Sequence, residues 1–142
     1  MTTLNQSQSQ NQTTNPLFLS GLLGWVTALA GSLIIAGVAA LLGIQLEIAA
    51  PPDMQTAVPL TLTPILFATL VPSIGATIIF GLLTRFAGKN AIRIFQIIAV
   101  VFMLLSLGGP FGLPVALSVK LSLAAMHVVA GGALIWALTL RK

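Results

Sequence analysis

The chain has 142 residues, of which 57% are hydrophobic and 6% charged, with a net charge of +4 and no cysteine. Soluble domains carry about a quarter charged residues, so an ordinary water-exposed surface is excluded. The missing cysteine removes disulfides, thiolate metal sites and thiol catalysis together.

The charges are confined to Glu47, Asp53, Arg85, Lys89, Arg93, Lys120, Arg141 and Lys142, leaving uncharged stretches at 17–46, 54–84, 94–119 and 121–140. Each can hold a membrane-spanning helix, which needs about 20 apolar residues to cross about 30 Å of hydrocarbon. The sequence thus predicts an all-α integral membrane four-helix bundle.

Residues 1–15, "MTTLNQSQSQNQTTN", are polar and uncharged. Such a segment cannot bury enough apolar surface to offset its ordering entropy, so a disordered tail is expected, followed by one transmembrane domain over 16–142. The tail has no basic n-region, which argues against a cleaved signal peptide. Asn15-Pro16 reads as N-cap and first helical residue, starting a first helix over about 16–43. Residues 44–58 contain both acids and read as a loop. Thr63-Pro64 repeats the cap-and-proline start for a second helix over about 64–86. Gly88-Lys89-Asn90 makes a turn into a third helix, about 91–107, which "GGPFGLP" at 108–114 is expected to stop. A fourth helix covers about 115–140.

Five basic residues lie in the middle turn and at the C-terminus, against Lys120 and both acids in the other two loops. The positive-inside rule therefore predicts cytoplasmic termini and a cytoplasmic middle turn, where Arg85, Lys89 and Arg93 contact anionic lipid. Lys120 is expected to snorkel to the outer headgroups. Trp25 and Trp136 read as interfacial anchors.

The first helix carries a ladder of small residues four apart: Ser20, Gly24, Ala28, Ser32, Ala36 and Ala40. Small side chains let two backbones approach closely in lipid, so this ladder is the expected packing seam, and Gly131, on the small face of the fourth helix around His127, is expected to pack inward against another helix. The second helix has a similar row of Thr69, Ser73, Thr77 and Gly81, and Pro72 inside it predicts a kink. A broken helix can also mark a transport site, because the freed carbonyl binds a solute. The third helix is large and apolar all round, which suits a peripheral, lipid-contacting position.

His127 is the one histidine, and it falls in the middle of the fourth helix. An intramembrane ionisable residue is a functional candidate by default. Ser32, Thr69 and Ser73 lie at similar depth and complete a candidate polar cluster with His127. The leading reading makes His127 polar glue, donating to a hydroxyl or to the Ala68 carbonyl that Pro72 frees. Contact with a ligand, pigment or quinone is the alternative. A proton relay is the weakest, because the membrane interior holds no Asp or Glu.

No metalloprotease, nucleophile-elbow or phosphate-loop motif is present, and no catalytic residue, metal or cofactor is implied. The order of the spans, the arginine closing the second, and "MHVVAGGALI" at 126–135 resemble an uncharacterised bacterial family of four-helix membrane proteins, a domain of unknown function. The resemblance covers about 17–140 and implies a multi-pass protein of the bacterial inner membrane. It supplies no functional residues. The functional expectation is a structural or accessory subunit, or a hydrophobic-ligand binder, without catalysis. Its partners are the lipid bilayer and a homo-oligomer or larger complex, not nucleic acid. The alternatives are a small oligomeric transporter or channel, and a haem- or quinone-linked redox subunit.

Overall fold

The computed structural model describes residues 16–49 and 56–140. The expected tail, the Asn15 cap, Asp53, Arg141 and Lys142 lie outside the described residues.

Helix α1 (Pro16–Leu41) ends where a left-handed residue closes it. Gly43 has φ +72°, and the Ile44 and Gly43 N–H groups donate to the carbonyls of Ala39 and Ala40 at 2.9 and 3.0 Å. This double closure satisfies two carbonyls that the helix end leaves free, and a Cβ disfavours the conformation it needs.

The expected plain loop at 44–58 contains a short antiparallel ribbon instead. Strand β1 (Glu47–Ala49) pairs with β2 (Ala57–Pro59) in the register Glu47↔Pro59, Ile48↔Val58 and Ala49↔Ala57. A two-stranded ribbon is marginal alone. Here Ile44, Leu46, Ile48 and Leu60 seat it on a core of Ile65, Val119, Leu123 and Met126.

Helix α2 (Leu62–Phe86) begins two residues earlier than expected, with Thr61 in the cap position. Thr63 and Pro64 therefore fall in the first turn, where a missing N–H costs nothing because no partner exists for it. The helix runs unbroken through Pro72. A 3-10 turn, Gly88–Asn90, leads into α3 (Ala91–Ser106).

The glycine–proline stretch after α3 was expected to stay non-helical, yet Gly108–Gly112 forms a short helix, α4. Pro110 sits in its first turn, where proline is tolerated. The extension matters: the 16 residues of α3 reach only about 24 Å at about 1.5 Å per residue. With the turn before it and α4 after it, the third span has 25 residues. Helix α5 (Leu117–Thr139) follows, and the Lys120 ammonium donates to the Phe111 carbonyl at 3.2 Å. Lys120 thus ties the end of α4 to α5.

Helix α1 packs mainly on α5 and then on α2, while α3 packs on α2 and α5. A second core cluster, Phe80, Phe95 and Leu138, lies toward the end of the bundle nearer the middle turn. Within it the rings of Phe80 and Phe95 meet edge to face at 4.9 Å, a favoured aromatic geometry. Helix α3 buries only Ala91 and Phe95, as expected of a peripheral helix. All four spans are long and apolar enough to cross a membrane, and the fold is that of a multi-pass membrane protein.

Four of the six rungs of the small-residue ladder of α1, Ser20, Gly24, Ala28 and Ser32, are buried, while Ala36 is half-buried and Ala40 is exposed. Each four-residue step advances about 40° around a helix of about 100° per residue, so a long ladder rotates away from its partner. A seven-residue step from Ser32 falls back by about 20° and lands on Ala39, which is buried.

Candidate functional site

The hydroxyls of α2 turn back on their own helix. Thr69 Oγ1 donates to the Ile65 carbonyl at 2.9 Å, Ser73 Oγ to Thr69 at 2.6 Å, and Thr77 Oγ1 to Ser73 at 2.7 Å. In hydrocarbon an unpaired hydroxyl is costly, and the carbonyl one turn back is the nearest acceptor.

His127 behaves the same way. Its Nδ1 lies 2.8 Å from the Leu123 carbonyl, four residues back on α5. A carbonyl oxygen only accepts, so Nδ1–H is the donor. The glue expected between helices is therefore a bond within one helix. In the neutral ring this fixes the lone pair on Nε2, which has no hydrogen-bond partner among the described residues.

His127 lines a cavity of about 450 Å³ walled by α2 and α3 and floored by α5. Thr69 lines it too, so the structure brings together these two members of the predicted cluster. Ser32 and Ser73 are buried but do not line it, and Ser106 of α3 takes their place. Ser106 Oγ donates to the Met103 carbonyl at 2.7 Å. Ala68 and Pro72 both line the wall, and Pro72 has no N–H to offer the Ala68 carbonyl. Several lining side chains of α2 and α3, among them Val71, Ile79, Ile98 and Phe102, are exposed. The cavity therefore opens sideways, between α2 and α3, toward the bilayer.

The α3 side of this cavity was missed from sequence. Phe95, Ala99, Phe102, Met103 and Ser106 all line it. Their spacing of four, seven, eight and eleven residues places them on one helical face, which is the signal that marks the wall. Gly131 also lines the cavity and accommodates α3 closely: a methyl group there would stand 2.9 Å from Met103 Sδ.

The other glycine contacts set the spacing of the bundle. A methyl group at Gly24 would lie 3.0 Å from Leu134 Cδ2 and 3.3 Å from Ala137 Cβ, as the packing seam requires. Two tighter approaches were not foreseen, because they lie off the four-residue ladder. A methyl at Gly21 would collide with Thr77 Oγ1, and one at Gly31 with Val129 Cγ1.

Arg85, Lys89 and Arg93 are all exposed at the end of the bundle formed by the middle turn. The Arg85 guanidinium lies 5.9 Å from the centre of the Phe86 ring. Trp136 is exposed near the end of α5, as an interfacial anchor should be. Trp25 is not: its indole Nε1 is buried and has no hydrogen-bond partner among the described residues. No group of three metal-ligating side chains occurs among the described residues.

No curated protein and no solved structure matches the chain. The model of DUF6069, a family of unknown function, matches residues 12–142, in line with the resemblance drawn from the last helix. The chain therefore belongs to DUF6069.

Proposed function

We propose that this protein is a non-catalytic membrane protein that holds an apolar small molecule in the cavity between α2, α3 and α5. The observation that carries the reading is the cavity itself. Its volume of about 450 Å³ falls within the range of small-molecule sites, about 300–1,000 Å³. Its walls are apolar with a few polar atoms, and its mouth faces lipid. The spent hydroxyl protons of Thr69 and Ser106 favour binding over chemistry, since neither oxygen is paired with a base. The asymmetry of basic residues supports an orientation with both termini and the Gly88 turn in the cytoplasm, and the resemblance to a bacterial family supports a bacterial inner-membrane location. The apolar surface that α3 leaves unpacked within the single chain supports a role as one subunit of a homo-oligomer or larger complex, since a helix apolar all round also suits burial in an assembly.

The test is purification in mild detergent from native membranes, followed by mass spectrometry of an organic extract. The wild-type chain is expected to carry an apolar molecule that a Gly75→Leu variant lacks. Gly75 lines the cavity and has nothing within 4 Å of an added Cβ, so leucine there fills the space without displacing backbone. Identical extracts from the two proteins would refute the reading. The free Nε2 of His127 in the cavity also favours a second reading, a haem- or quinone-linked subunit. A visible absorption band that disappears with His127→Leu would select it.

A further inference from the structure

The polar atoms of the cavity share one property. Thr69 Oγ1 spends its proton on Ile65 at 2.9 Å, Ser106 Oγ on Met103 at 2.7 Å and His127 Nδ1 on Leu123 at 2.8 Å. What each has left is a lone pair. The Ala68 carbonyl, denied an N–H by Pro72, is a further acceptor of the same wall. The remaining lining side chains are apolar. The cavity thus offers acceptors and no donor, and the most basic of them in the neutral state is the imidazole Nε2.

From this acceptor-only lining we infer that the site takes an apolar molecule bearing a hydroxyl group, whose O–H donates to His127 Nε2. The inference rests on the ligand-binding reading and narrows it to lipophilic alcohols and phenols. A ketone, ether or carboxylate of the same size brings only acceptors, so its oxygen would be buried against lone pairs and left unpaired. A bare hydrocarbon fills the volume but leaves Nε2 without its bond. The lateral mouth between α2 and α3 lets such a molecule enter from the acyl-chain region without crossing water.

Farnesol and its methyl ether test this directly, because they share a chain and differ in the donor. The full-length protein in detergent micelles is titrated with each, and bound molecules are counted by native mass spectrometry. Farnesol is expected to bind about fivefold more tightly than the ether, the equivalent of one net hydrogen bond. Gly75→Leu is expected to abolish binding of both. Because the chain has a single histidine, ¹⁵N-histidine labelling reports the ring without assignment. The Nε2 resonance of the unaltered protein is expected to move upfield with farnesol and to stay still with the ether. Equal affinities, or an Nε2 resonance that farnesol leaves unmoved, would overturn the hydroxyl assignment while leaving the ligand-binding reading standing. Binding of neither probe would overturn that reading as well.

Discussion

Replacing Gly21 by alanine is the sharpest probe of how α1 meets α2. The new Cβ would lie 2.9 Å from Thr77 Cγ2 and 3.2 Å from Thr77 Cβ, and closer still to Oγ1. Ordinary carbon contacts fall at about 3.5–4.0 Å, so the helices must part by roughly 0.6 Å or more, or Thr77 must turn. Thr77 is not free to turn cheaply, since Oγ1 is bonded to the Ser73 carbonyl at 2.7 Å. Overpacking of this kind costs about 1–3 kcal/mol, and losing the hydroxyl bond costs about 1 kcal/mol. Alanine gains up to about 1 kcal/mol over glycine inside a helix. The same gain is available without penalty at Gly37, where an added Cβ has nothing within 4 Å. Gly37→Ala should therefore be the more stable variant, by about 1–3 kcal/mol over Gly21→Ala. The assay is reversible unfolding by SDS titration in mixed micelles, followed by far-ultraviolet circular dichroism. Equal stability of the two variants would refute the close approach at Gly21.

Gly131→Ala should be milder than Gly21→Ala in the same titration, because its obstacle is the flexible thioether of Met103 rather than a pinned threonine. Trp25→Phe removes a buried, unpartnered N–H while keeping a ring. It should leave stability unchanged or raise it by about 1 kcal/mol, and a clear loss would mean that the indole has a partner. Phe80→Ala should cost about 3 kcal/mol, since Phe80 is 3% exposed and meets the Phe95 ring edge to face, whereas Phe102→Ala, 71% exposed, should cost well under 1 kcal/mol. Lys120→Met should cost about 1 kcal/mol through the lost bond to the Phe111 carbonyl. A full effect of Lys120→Met in micelles lacking anionic headgroups separates that bond from headgroup contact.

Much of the scaffold is legible in the sequence because a bilayer punishes charge so heavily. The positions of Glu47, Arg85, Arg93 and Lys120 alone bracket four spans, and Gly43 and Gly88 mark turns that need left-handed backbone. The ribbon at 47–59 left no signal, since two three-residue strands are too short for alternation to stand out. Helix α4 was hidden by composition: glycine and proline are read as breakers, yet proline is harmless in a first turn. The cavity was half-visible. Thr69, Pro72 and His127 drew attention as polar or irregular residues in lipid. The α3 wall did not, because Phe95, Phe102 and Met103 are as apolar as their lipid-facing neighbours, and in a bilayer hydrophobicity does not tell inside from outside. Ser106 was obscured by its place beside the glycine–proline stretch at 108–114, although it lines the cavity.

The decisive measurement is the sidedness of single cysteines, which this cysteine-free chain permits without background. Lys89→Cys, Lys142→Cys, Thr56→Cys and Gly112→Cys are labelled with a membrane-impermeant maleimide in sealed vesicles of both orientations. Four crossings require positions 89 and 142 to react from one side, and 56 and 112 from the other. Labelling of 89 and 112 from the same side would remove the third crossing, and with it the wall of the cavity that faces His127.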